Sequence, residues 1–415
     1  MLSPTTTNSG DGLSSLDNVE LLPEPEDDRI LSAIDPSVVG FQDEWRSEVT
    51  GWAPMLAKPI HRVRGRRFLY TNLTLFAILV SLMLWVWQSG YMFIELPPPK
   101  SEWAIEQAGF EDDILNGLSG DGIRVCIVDT GIDLSHSAFE GVQVVFKDMI
   151  SNSVSPVDYG VIAHGTLMAG ILMSQSHQMG VAPGVTLGVV AALDDDGSGM
   201  NTAGEQTISD AIEWCIEQFS ADIISLSLGG AQTDDMTREG PSVSSTRKAI
   251  DRGIFVVAAA GNDGGESDDG RVSVPSNVPL AISVGASSEG GELWANSSRG
   301  NQITFDGDQR MHPNQKPEII APGVRIVSTG TDDSWFSSSG TSDSTVFVTG
   351  ALALILEDQP QLRSSVTQDS SCIGEVKQAL RQSASESIYQ HDDSLGYGNL
   401  DAGAWLEEVR KMPNC

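Results

Sequence analysis

Positive charge is what this chain has least of. Lys and Arg number 24 against 57 Asp and Glu, a formal net charge of −33. That balance excludes a nucleic-acid partner, because such binding rests on neutralising phosphates. It suits a salt-rich medium that screens self-repulsion. Cysteine is also scarce: four residues in 415 are too few for a disulfide scaffold. Cys126 falls in an apolar strand pattern and Cys215 in an amphipathic helical one, so both are expected as buried thiols. Cys372 and Cys415 are left as a pair that an oxidising compartment would join. Internal repeats are missing, which argues against a solenoid. Apolar content is not scarce, and at 40% it supports one large core with appendages.

The chain divides by composition. Residues 1–60 are rich in Ser, Thr, Pro, Asp and Glu and sustain no apolar period, so 1–67 is expected to be a disordered, acidic segment ending in the basic cluster His61 to Arg67. No charged residue occurs from Phe68 to Ile94, and Phe68–Trp87 is long enough to cross a bilayer as a helix. Tyr70, Trp85, Trp87 and Tyr91 sit near its ends, as interfacial aromatics do. Four arginines precede the run and Glu95 with three prolines follows it. The positive-inside rule therefore places the N-terminus in the cytoplasm and everything beyond 68–94 outside the cell membrane. Residues 95–102 form a Pro-rich linker, and 103–410 a single folded domain.

Within that domain, continuous apolar strands alternate with helices. Strands are expected at Ile123–Val128, Val185–Val190, Ile223–Leu228, Ile254–Ala260 and Leu280–Val284. Helices are expected at His164–Met173, Glu205–Phe219 and Ser244–Asp251, with a buried one following Ser342. Trp335–Ser339 reads as an exposed loop. Such alternation argues an α/β fold with a mostly parallel sheet between layers of helices.

Four residues stand where such folds place chemistry, at strand ends and helix starts. Asp129 follows the first strand in Val-Asp-Thr-Gly, His164 opens a helix in His-Gly-Thr, and Asn262 closes Ala-Ala-Ala-Gly-Asn after another strand. Ser342 lies in Gly-Thr-Ser at a loop-to-helix junction, where free backbone N–H groups and the helix dipole favour negative charge. In that order they resemble the subtilisin-like serine proteases, or subtilases, across roughly Trp103–Trp405. Ser225 to Gly230 (SLSLGG), Gly180 to Pro183 (GVAP), Ala321 to Gly323 (APG) and Gly396 to Ala402 (GYGNLDA) extend the match.

The resemblance implies a subtilisin-like three-layer fold, preceded here by one transmembrane helix, and a peptidase S8 serine endopeptidase. It implies Ser342 as nucleophile, His164 as general base, Asp129 as its orienting partner and Asn262 as an oxyanion donor. Ser227, Leu228 and Gly229 would pair with an extended polypeptide substrate, opposite Gly197, Ser198 and Gly199. Catalysis would need no cofactor, and structural calcium is compatible with the family. The bilayer is the other expected partner. His136 is a rival base, and Ser339 and Ser344 are rival nucleophiles, but only Ser342 completes Gly-Thr-Ser.

Several features depart from the pattern. Where the family continues Gly-Thr-Ser with Met-Ala-x-Pro-His, this chain has Asp343-Ser344-Thr345-Val346-Phe347. Asp343 is expected to point partly to solvent, within roughly 7 Å of the forming oxyanion, where it would repel by about 0.6–2.4 kcal/mol. The linker is too short to hold a folded inhibitory prodomain. These departures define an alternative, a pseudoprotease retained as an extracellular peptide-binding or scaffolding module. Asp194-x-Asp196-x-Ser198-Gly199 with Glu205 fits EF-hand spacing, but a strand rather than a helix precedes it.

Overall fold

The computed structural model describes residues 66–88, 100–177, 179–230, 239–266, 268–384 and 390–412. The expectations for residues 1–65 and 89–99, and for Cys415, lie outside them. The described residues of the first unit form one helix, α1 (Arg66–Gln88, 23 residues). Its described side chains, at 70 and 72–85, are exposed, and Leu73, Phe76, Ile78, Met83 and Trp85 show more than half their surface. That described stretch is shorter than the ~20 apolar residues a bilayer needs. Among the described residues no helix is long and apolar enough to cross a membrane.

The second unit carries eleven described strands: β1 (Arg124–Asp129), β2 (Val144–Asp148), β3 (Thr186–Ala191), β4 (Asp194–Asp195), β5 (Asn201–Thr202), β6 (Ile223–Leu226), β7 (Phe255–Ala259), β8 (Ile282–Ser287), β9 (Ile319–Pro322), β10 (Val324–Thr329) and β11 (Trp335–Ser339). Its helices are α2 (Glu102–Gln107), α3 (His164–Met173), α4 (Glu205–Glu217), α5 (Pro241–Asp251), α6 (Thr341–Asp358), α7 (Ser364–Thr367), α8 (Ser371–Ser383) and α9 (Ala402–Arg410). Seven strands form one parallel sheet in the order β2-β3-β1-β6-β7-β8-β9. Register is fixed by pairs such as Val128↔Val190 and Ile127↔Ser225. β6, β7, β8 and β9 are buried along their whole length, as sheets covered on both faces require. β1 lies between strands added on opposite sides, β3 and β6, so the crevice at its carboxyl end is a topological switch point.

α6 is buried from Thr341 through Leu356, the condition of a helix that is apolar on every side and runs through a core. The segment expected as an exposed loop before it is the half-buried strand β11, paired antiparallel with β10. Three consecutive serines give it no apolar/polar alternation to read as a strand; the pairing with β10 supplies the order. A second correction concerns the cysteines. Cys126 on β1 and Cys215 on α4 form a disulfide, with Cα atoms 5.9 Å apart, and Cys372 is a buried free thiol. The two bonded residues are 89 apart in sequence and meet only because α4 packs on the sheet.

One buried charge cluster braces the far end of the sheet. Glu318 Oε1 accepts from Lys316 Nζ at 2.9 Å and Lys377 Nζ at 2.7 Å, while Oε2 accepts from Ser283 N at 2.7 Å. Both ammonium groups also reach the Ala281 carbonyl, and Lys377 reaches Asn314. Burial pulls both lysines below their ordinary range, against the opposing pull of Glu318.

Candidate active site

Asp129 ends β1 with its carboxylate buried. Oδ1 accepts from the Thr130 N–H at 2.7 Å and from His164 Nδ1 at 2.8 Å, and Oδ2 has no hydrogen-bond partner. His164 is the first residue of α3, preceded by Ala163 in the left-handed region at φ 51°. The helix start sits directly on the β1 loop: a Cβ on Gly165 would stand 2.1 Å from the Gly131 carbonyl oxygen. Only glycine permits that approach, and the Gly165 N–H donates to Thr130 Oγ1 at 2.8 Å. Asp158 accepts from the Thr166 N–H and hydroxyl at 2.8 and 2.6 Å, placing a second carboxylate at the positive end of α3.

Burial draws the His164 imidazole down. The charge and hydrogen bond of Asp129, helped by Asp343 and Asp158, outweigh it and lift the group to about 9. With Nδ1 engaged by Asp129, Nε2 is the nitrogen left for chemistry.

Ser342 is the second residue of α6 and is 8% exposed. Its Oγ donates to the Ser227 carbonyl, and the Ser227 hydroxyl donates to the Ser342 carbonyl, each at 3.2 Å. The nucleophile candidate is thus clasped to the segment Ser227-Leu228-Gly229 that leaves β6. Asn262 follows β7. Its Oδ1 accepts from the Thr341 N–H at 3.0 Å and hydroxyl at 2.9 Å, which fixes the amide orientation and leaves Nδ2 as the outward donor. Gly340 joins β11 to α6 in extended conformation, φ 177°. A methyl carbon set on it would lie 3.6 Å from Asn262 Nδ2 and 3.6 Å from Ser342 N, so two donors face one small space.

Asp343 differs from expectation. It is 2% exposed, not solvent-facing, and Oδ1 accepts a hydrogen bond from the Ser338 hydroxyl. The first turn of α6 is packed inside the core, and β11 closes over it. Burial pushes the carboxyl up to about 7, against the Ser338 bond and the charge of His164.

The rivals are structurally engaged. His136 donates from Nε2 to the Ser334 carbonyl at 3.0 Å and accepts at Nδ1 from the Ala138 N–H at 3.0 Å. Ser344 is buried against the Ala321 carbonyl at 2.8 Å, and Ser339 Oγ accepts from the Arg325 N–H. Gly197, Ser198 and Gly199 form the turn between β4 and β5, bonded to Asp195 and Asp196. That hairpin replaces the EF-hand, and among the described residues no group of His, Cys, Asp or Glu side chains is disposed to hold a metal. Asp158 and Ser338 have no signal in the sequence, and Thr130 and Thr341 appear there only as motif neighbours; the fold gives all four their bonds at the site.

Comparison with known proteins bears on the family of the chain. The subtilase family model matches residues 120–399. Serine protease AprX of Bacillus subtilis (strain 168) is 32% identical over 334 residues, 72% of this chain and 70% of its own length. Subtilisin E of the same organism is 31% identical over 259 residues, and the chain spans 60% of its length. Among solved structures, a serine-to-alanine mutant of the protease domain of PatA aligns at 26% identity with TM-score 0.57, over 72% of this chain and 100% of that one. A cold-adapted subtilisin-like serine proteinase aligns at 24% identity with TM-score 0.54, over 69% and 90%. The second likeness speaks for the fold alone.

Proposed function

The chain belongs to the subtilase family of serine proteases, and on that premise we propose that it cleaves peptide bonds as an endopeptidase through Asp129, His164 and Ser342. The observation that carries this is the 2.8 Å bond from His164 Nδ1 to the buried Asp129 carboxylate, which orients Nε2 as the base. Ser342 Oγ turns from the Ser227 carbonyl to His164 Nε2, gives up its proton there and attacks the scissile carbonyl. The oxyanion is met by the Ser342 N–H and Asn262 Nδ2. The imidazolium then protonates the leaving amine, and water, deprotonated by the same nitrogen, releases the acyl group. No cofactor enters these steps. Ser227-Leu228-Gly229 lines one side of an extended substrate by strand pairing, with Gly197-Ser198-Gly199 on the other.

Labelling with a fluorophosphonate probe tests the reading. The parent should label, and Ser342→Ala and His164→Ala should not. Asn262→Ala should lower kcat about 100- to 1,000-fold with little change in KM. The resting bond from Ser342 Oγ to Ser227, and an imidazole held charged at neutral pH, favour a second reading as a pseudoprotease that binds peptides. Absence of labelling in the folded parent would select it.

The same proposal places the domain outside a cell membrane, held by α1. The described part of α1 does not by itself meet the length and apolarity of a span, so the anchor rests on the uncharged run Phe68–Ile94 as a whole. Support comes from its exposed apolar side chains, the arginines that precede them, and a disulfide that suits an oxidising compartment. Protease added to intact cells should reach the domain and spare residues 1–60; the reverse pattern overturns the orientation.

A further inference from the structure

We propose that Asp343 is a third oxyanion donor: its carboxylic acid, not its carboxylate, faces the space shared by Asn262 Nδ2 and the Ser342 N–H. This rests on the reading of Ser342 as nucleophile and adds a residue to its machinery. The geometry is a convergence. The point 3.6 Å from both proposed donors, where a Cβ on Gly340 would sit, lies 3.5 Å from Asp343 Oδ2. The Ser338 hydroxyl donates to the other oxygen, Oδ1, so Oδ1 is the acceptor end and Oδ2 the one to carry a proton. The Ser338 bond thus leaves Oδ2 as the oxygen nearer the shared space.

The ionised form would repel the oxyanion across a space a few ångströms wide. The acid form donates to it, as a buried neutral carboxylic acid can at neutral pH. Burial favours the acid, and Asp343 titrates about 7.

The charge of His164 acts on Asp343, and the charges of Asp129, Asp343 and Asp158 act on His164. The active form has Asp343 protonated and His164 neutral. It carries the same number of protons as the resting pair of carboxylate and imidazolium. Activity should therefore rise through about 7, hold, and fall above about 9, when the last proton leaves.

The test compares Asp343→Asn with Asp343→Ala. Asparagine keeps a neutral donor of the same shape, so kcat should equal or exceed the parent value at pH 8 and show no alkaline fall. Alanine keeps neutrality but loses the donor, so kcat should lie about 10- to 100-fold below the asparagine variant. Ser338→Ala, which leaves Asp343 in place, removes a bond that favours the carboxylate and should move the acid limb upward. Fluorophosphonate labelling of the parent is run alongside. A parent that neither labels nor hydrolyses overturns the reading of the site, and this inference with it. A parent that labels, with Asp343→Ala and Asp343→Asn equal in kcat and pH profile, overturns this inference alone.

Discussion

Two of the sets of charged groups buried in this molecule are treated in opposite ways. Around Glu318, each carboxylate oxygen receives a donor, and two lysines share the charge. Around Ser342, Asp129 Oδ2 has no partner, and Asp343 has a hydroxyl, not a cation, at its Oδ1. Burial is equally deep in both places. Full pairing turns a low-dielectric interior into a brace, whereas incomplete pairing leaves groups whose protonation can change and whose free atoms can meet a substrate. The contrast separates what holds this fold from what acts in it.

The strongest way to break the comparison is at the brace. Glu318→Gln leaves two buried lysines without their counter-charge and should destabilise the domain by about 3–5 kcal/mol, read from denaturant midpoints. The specific activity of the remaining folded protein should hold. A loss below about 1 kcal/mol would mean the cluster is not a brace. Next comes the disulfide. Replacing Cys126 and Cys215 by alanine opens a loop of 89 residues and should lower stability by about 2–4 kcal/mol. An unchanged melting temperature would contradict the bond.

Asp343→Asn should act in the other direction. The acid's folded value, about 7, lies above its unfolded 3.8. The folded state thus holds an extra proton between those limits, and its stability falls as pH rises through them. The variant should be about 1–3 kcal/mol more stable than the parent at pH 8 and no more stable below pH 3.8. A destabilised variant at pH 8 would mean the carboxylate is favourably paired. The smallest expected effect is at Gly340. Its φ of 177° is open to any residue, and an added methyl meets nothing closer than 3.5 Å. Gly340→Ala should leave stability within about 0.5 kcal/mol but reduce kcat about tenfold by filling the shared space. An unchanged kcat would place the oxyanion elsewhere.

Much of the fold is legible in the chain because its signals are local. The apolar run before Asp129 could only be a covered strand, and the helix His164–Met173 has the bounds its pattern predicts. The short motifs at Asp129, His164, Asn262 and Ser342 carry the candidate chemistry for the same reason. What stayed hidden depends on distant neighbours. Cys126 and Cys215 gave no hint of each other. Ser337, Ser338 and Ser339 look like loop residues until β10 pairs with them. Asp343, as an acid in a first helical turn, reads as a solvated carboxylate, because nothing in its own sequence announces that β11 lies over it.

The order of the central sheet also sets a schedule. β1, bearing Asp129, is the first of the seven strands to be synthesised, yet both its neighbours, β3 and β6, come later, and Ser342 follows β9 by some twenty residues. A chain emerging from the ribosome therefore holds Asp129 long before it holds Ser342, and parallel strands wait on distant partners before they can lock. On the proposed assignment, the three catalytic residues come together only after α6 has been made and packed into the core, so the strand order alone sets a delay.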